Sequence, residues 1–184
     1  MKLIKTLPFA ALVLLMVFTS CKKEESKDNT GPSGTGTITY DGTVYTINQA
    51  EGENYGKDAT FHEGYNIDLI FVTDGIVIQN DTIASGSGYA IYLESFVPKD
   101  TQIDSGVYTY SDGTSGPHPL FTFSDNSDIF GGNFDTGATS WESFVDGSTY
   151  TVVKNGNSYS VTFDLTTDSG KKLTGTYSGG IPIF

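Results

Sequence analysis

The sequence predicts an all-β domain: an antiparallel β-sandwich of roughly ten short strands ending in a meander, with a closed calycin-like β-barrel as the alternative. Three observations predict it. Glycine is abundant, at 22 of 184 residues. Tyr, Phe, Thr, Val and Ile carry nearly all the patterned segments, and these residues favour pleated, half-buried surfaces. Asp-Gly and Asn-Gly pairs recur between alternating runs, and no segment sustains a helical period.

The strands follow in order. Residues 37–40 and 43–47 flank Asp41-Gly42, a two-residue hairpin signal because both central residues of a type I′ turn need positive φ. The same signal places a hairpin at Asp74-Gly75, between 65–73 and 76–79, and another at Asn155-Gly156, between 149–154 and 158–166. In the last of these Tyr159, Val161, Phe163 and Leu165 alternate with Ser160, Thr162, Asp164 and Thr166. That is the pattern of a sheet covered on one side. Asp168-Ser169-Gly170 then turns the chain into 172–177, so 149–177 is expected to be a three-strand meander. Residues 88–96, 107–110, 120–123 and 128–134 supply the remaining strands.

The first 36 residues have a different composition. Lys2 and Lys5 precede an apolar stretch at 7–18. That stretch is shorter than the roughly 20 residues a membrane span needs and suits a secretory leader. Thr19 and Ser20 follow, then Cys21, the only cysteine. An unpaired thiol in an exported chain requires an explanation. Phe18-Thr19-Ser20-Cys21 resembles the lipobox of bacterial lipoproteins, which implies cleavage before Cys21 and acylation of its thiol. Lys22-Lys23-Glu24-Glu25 resembles the export tag of Bacteroidota surface lipoproteins, implying display on the outer face of the outer membrane. Residues 147–179 look like the ending of many small all-β lipoproteins of that group. The expected organisation is a leader at 1–20, a lipidated flexible tether at 21–36 and a single domain at 37–184. The tether is polar, balanced in charge and rich in Gly, Ser and Pro, so it buries too little apolar surface to order itself.

Charge excludes several partners. The sequence carries −12 and no arginine; loss of Lys2 and Lys5 with the leader leaves about −14. Nucleic acids require Lys and Arg to neutralise phosphates, and anionic ligands are read best by guanidinium forks. No nucleic-acid partner is expected, and the expected membrane contact runs through the lipid at Cys21 alone.

Catalysis finds little support. His62 and His118 are the only histidines, too few and too far apart in sequence for a zinc ligand set, and Pro117-His118-Pro119 reads as an exposed stiff turn. Glu63, Glu94 and Glu142 are acids that a glycosidase could use, without a pattern that selects any pair. The expectation is no enzyme and no cofactor. Asp125-Asn126-Ser127-Asp128, with Asp135, offers hard oxygen ligands for calcium at Asp125 and Asp128, but not at EF-hand spacing; a turn explains them as well. Surface lipoproteins of the kind resembled often capture glycans, which stack on exposed rings. Trp141, the only tryptophan, with Glu142 beside it, is the natural platform, although a lone tryptophan also serves as a core anchor. Asp81-Thr82-Ile83 resembles the O-glycosylation acceptor of exported Bacteroidota proteins, with Thr82 expected in a loop. The reading is a non-catalytic binding or interaction domain suited to glycan capture or to a surface protein partner. Its rivals are a β-barrel carrier of a small apolar ligand and a hydrolase of extracellular polymers.

Overall fold

The computed structural model describes residues 34–79 and 82–184. They form twelve strands and no helix: β1 (Thr35–Tyr40), β2 (Thr43–Gly56), β3 (Tyr65–Thr73), β4 (Ile76–Gln79), β5 (Thr82–Val97), β6 (Gly106–Ser111), β7 (Thr122–Ser124), β8 (Asp128–Asn133), β9 (Ala138–Ser143), β10 (Thr149–Asn155), β11 (Ser158–Thr166) and β12 (Lys172–Gly179). Cys21 and the tether as far as Ser33 lie outside the described residues; β1 begins at Thr35, two residues before the expected domain start.

Nine strands close into a barrel in the order β3-β2-β1-β12-β11-β10-β6-β7-β5, and β5 returns to β3. The all-β class is as expected, and the closed barrel expected as the alternative stands in place of the sandwich. Closure depends on β5, whose 16 residues let it pair with β3 from Tyr65↔Val97 to Val72↔Ala90 on one edge and with β7 and β8 on the other. Every pairing in the ring is antiparallel except β6 with β7. The meander β10-β11-β12 is present as expected, and β11 buries alternate residues along its length.

Two hairpins follow their turn chemistry. Asp41 and Gly42 take φ of 49° and 77° between paired Tyr40 and Thr43, as a type I′ turn demands. Gly156 supplies the positive φ between paired Asn155 and Ser158. Asp74-Gly75 behaves differently. β3 and β4 do not pair with each other; both run antiparallel to β5, so Asp74-Gly75 is a kink in one long arm, and the innermost pair of the hairpin is Gln79 with Thr82. A Cβ on Gly86 would lie 1.8 Å from the Gly75 carbonyl oxygen, and both glycines have positive φ, 106° and 94°. Only glycine on both arms permits this bend.

The barrel interior is filled by rings. Tyr108 and Tyr150 stack at 4.7 Å, and Phe71 meets Phe163 at 5.0 Å and Tyr177 at 5.4 Å edge-on. The Tyr150 hydroxyl donates to Ser95 Oγ at 2.7 Å inside the core. A second, smaller core lies outside the barrel wall. Val72 and Ala90 alternate in β3 and β5 with residues that point inward, and they pack with Ile76 and Ile78 of the bent hairpin, flanked by Ile70, Ile83, Phe130 and Phe134. The hairpin 76–86 therefore folds back over the outer face of β3, β5 and β8. Residues 182–184 bond along β2, with Phe184 N donating to Gly52 O at 3.0 Å.

Candidate ligand-binding site

On the outer face, Glu53 of β2, Asp68 of β3 and Glu94 of β5 stand opposite one another in consecutive ladders. Side chains so placed have Cβ atoms about 5 Å apart, and like charges there repel. The next row holds Glu51, Ile70 and Tyr92. The bent hairpin closes over these rows and leaves a cavity of about 320 Å³, walled by Leu69, Ile70, Ile83 and Phe130 and edged by Glu51, Glu53, Asp68, Tyr55 and Tyr92. Thr82 lies exposed at its rim, as the first residue of β5 and not in a loop; Asp81 is outside the described residues.

Asp68 is the focus of this cavity. The Tyr92 hydroxyl donates to Asp68 Oδ2, while Asp68 Oδ1 is buried with no hydrogen bond. Burial pushes the Asp68 carboxyl up to about 7, with Glu94 and Glu53 adding to the shift against the Tyr92 hydrogen bond. The Tyr92 phenol is pushed far up, by burial first and then by Asp68. Tyr55 donates to Glu53 Oε2 at 2.7 Å, and Gln49 to Glu51 Oε1 at 2.6 Å.

Glu94 is tied into the loop that the sequence offered to calcium. Its carboxylate accepts from Asn66 at 3.2 Å, from Asn126 at 3.1 Å and from Ser124, and its backbone N–H donates to Ser127 Oγ at 3.0 Å. Residues 125–128 are thus a turn wrapped on Glu94. Asp125 is exposed. Burial raises the Asp128 carboxyl, whose Oδ1 has no hydrogen bond, and Asp135 is held at Gly86 N, 3.0 Å away, beyond the other end of β8. Among the described residues no three acids or histidines converge as a metal-ligand set.

Trp141 and Glu142 have opposite fates. Both sit on β9, the outermost strand, which the sequence pattern missed. Glu142 faces inward to the turn after β11: its carboxylate pairs with Lys171 and accepts from Thr167 at 2.6 Å and Ser169 at 2.5 Å. Burial works against ionisation there, but these partners outweigh it and hold the carboxyl down at about 2. Glu142 is a structural tie and not a free ligand contact. Trp141 is 79% exposed and stands opposite Phe130 in the β8–β9 ladder, beside a second cavity of about 420 Å³ that includes Phe134. Phe130 lines both cavities. Tyr55, Tyr92, Phe130 and Trp141, from four strands, therefore border one continuous surface.

The histidines, 56 positions apart in sequence, meet in the fold. His62 and His118 form a parallel bridge, and both rings stack on Phe96, at 4.9 and 4.7 Å. His118 is partly buried and bonds Ser111 Oγ at 3.0 Å, so it is not the exposed turn residue expected. Glu63 accepts from Leu120 N at 3.4 Å, which leaves this pair as a pin between two loops.

Asp68, Glu53, Tyr55 and Tyr92 escaped sequence reasoning. The available signal was Asp68 itself, an acid in the apolar run Ile67-Asp68-Leu69-Ile70. In comparisons with known proteins, no family model matches this chain, and no curated protein or solved structure is similar to it.

Proposed function

We propose that the chain is a lipid-anchored protein of the outer-membrane surface whose barrel is a non-catalytic binding module for carbohydrate. One observation carries the binding reading: an aromatic surface, with Tyr55 and Trp141 61% and 79% exposed, leads into a roofed cavity beside carboxylates on the outside of a barrel whose interior is packed. Rings offer stacking faces for sugars, and carboxylates and phenols accept and donate to hydroxyls. About 320 Å³ is at the small end of ligand pockets, suited to one sugar ring at the cavity with neighbouring units along Phe130 and Trp141. The filled interior favours this surface over the carrier reading, which requires an empty barrel.

A glycan array probed with the chain from residue 21, carrying Cys21→Ser, tests the reading. Binding that falls about tenfold or more in Trp141→Ala supports it, with the fold unharmed because so exposed a side chain contributes little to stability, about 0.5 kcal/mol or less. Absence of binding to every glycan by folded protein overturns it. Release of reducing ends from a bound glycan, lost in Asp68→Asn, would instead assign Asp68 as the general acid of a hydrolase.

The anchor rests on the residues around Cys21. Metabolic labelling with a radioactive fatty acid should mark the wild-type chain and leave Cys21→Ser unlabelled and released from the membrane fraction. Labelling of the serine variant would refute acylation at Cys21.

A further inference from the structure

Strand β2 is longer than its partner on one side. β1 pairs with it only as far as Gly36↔Ile47, while β3 follows it on to Gly56. Residues 182–184 take the edge that β1 leaves. Gly52 N donates to Pro182 O at 2.8 Å, Phe184 N to Gly52 O at 3.0 Å and Asn54 N to Phe184 O at 3.1 Å, so Ile183 bridges Gly52 in parallel register. The approach is close: a Cβ on Gly52 would stand 2.5 Å from Ile183 Cδ1 and 3.2 Å from Leu69 Cδ2. Side chains seat the segment. Ile181 is buried in the main core and Ile183 packs against it, and the Tyr177 hydroxyl fixes the approach by donating to Gly180 O at 2.7 Å.

The stretch of β2 held in this way is one wall of the cavity under the bent hairpin. Glu51, Gly52, Glu53 and Tyr55 line that cavity, and residues 181–184 do not. Without the segment this stretch would be an edge strand, bonded on one side only and readier to open. Resting on the carbohydrate reading, we infer that residues 182–184 are a positioning strap: seated, they hold Glu51, Glu53 and Tyr55 in the geometry that receives the sugar, and released, they leave the site at low affinity. The strap acts through β2 and not by contact with the sugar. A wall ordered in advance spares the ligand the cost of ordering it, and the coupling is reciprocal, so a bound sugar favours the seated strap.

The test compares three proteins, all from residue 21 with Cys21→Ser: the parent chain, the same chain ended at Ile181, and Phe184→Pro, which removes one N–H of the strap and leaves Ile183 in place. Hydrogen exchange at the amides of Glu51 and Glu53 should be about tenfold faster in both variants. Exchange along β11 should be unchanged, which also reports that the barrel is folded. On the glycan array, every glycan that the parent binds should be bound about tenfold more weakly by both variants. Ile183→Val, which keeps the seat filled, should bind like the parent. A bound glycan should in turn slow exchange at the Phe184 N–H, a response that a purely stabilising segment does not give. Unchanged exchange at Glu51 and Glu53, or unchanged glycan binding by the variants, overturns the strap and leaves the carbohydrate reading standing. No binding to any glycan by the folded parent overturns both.

Discussion

Burial raises the energy of an ionised carboxylate, and at Asp68 two further acids stand across the ladder on either side. The folded state therefore holds its proton to about 7, against 3.8 for the free side chain. Between these values the native chain binds more protons than the unfolded one, so stability falls as pH rises through this window and is greatest below it. Asp68→Asn removes the cost of ionisation. The variant should be more stable than wild type at about pH 8, and the gap should close at about pH 4. Thermal melts across that range check this; parallel curves for the two proteins would show that Asp68 titrates as an ordinary exposed acid. Glu142 has the opposite sign. Its carboxyl is held down, so its ties to Lys171, Thr167 and Ser169 stabilise the fold at neutral pH and fade as pH falls towards 2.

The bent hairpin makes the cavity, and the bend depends on two glycines. With Gly86 at φ of 106° and the Gly75 carbonyl 1.8 Å from where a Cβ would sit, Gly86→Val must push the arms apart. The loss should exceed about 2 kcal/mol and should uncover Ile76 and Ile78, seen as increased binding of a hydrophobic dye. A Gly86→Val variant that melts like wild type would place the bend elsewhere. Local chemistry made the Asp41-Gly42 turn legible, because only two residues separate the paired strands. Asp74-Gly75 carries the same dipeptide, yet the partner of β3 is β5, which lies beyond residue 81. Turn propensity reports where a chain can bend, not which strand it will meet. Strand β9 was hidden for a related reason: Ala138–Ser143 is polar, is exposed over most of its length and borders only β8, so burial writes no alternation into it. β11 buries one whole face and was plain in the sequence. The candidate site was half legible, with Trp141 visible as the lone tryptophan and Asp68 concealed in an apolar run whose outward positions only the register reveals.

At the scale of the molecule, closure separates this barrel from the sandwich that its composition equally allows. The seam is narrow: β6 meets β7 at three positions and β7 meets β5 at two, whereas β11 and β12 share eight. The stacked rings of Tyr108 and Tyr150, with Phe123 5.5 Å from Tyr150, hold that seam from inside. Hydrogen exchange should find the amides of β7 opening before those of β11, and Tyr150→Phe, which removes the bond to Ser95 Oγ, should cost about 1 kcal/mol and speed exchange at β7 selectively. Uniform protection around the ring would contradict a weak seam.

Strand β1 is the first strand of the described residues, and it is laced on both edges, to β2 from Gly36 to Tyr40 and to β12 from Thr35 to Tyr40. A pull transmitted through the N-terminal segment along this strand would load all of those bonds together in shear; they would not peel one at a time. Under the proposed function, a domain gripping a polymer while held by its first residues would bear tension at the point where tension enters.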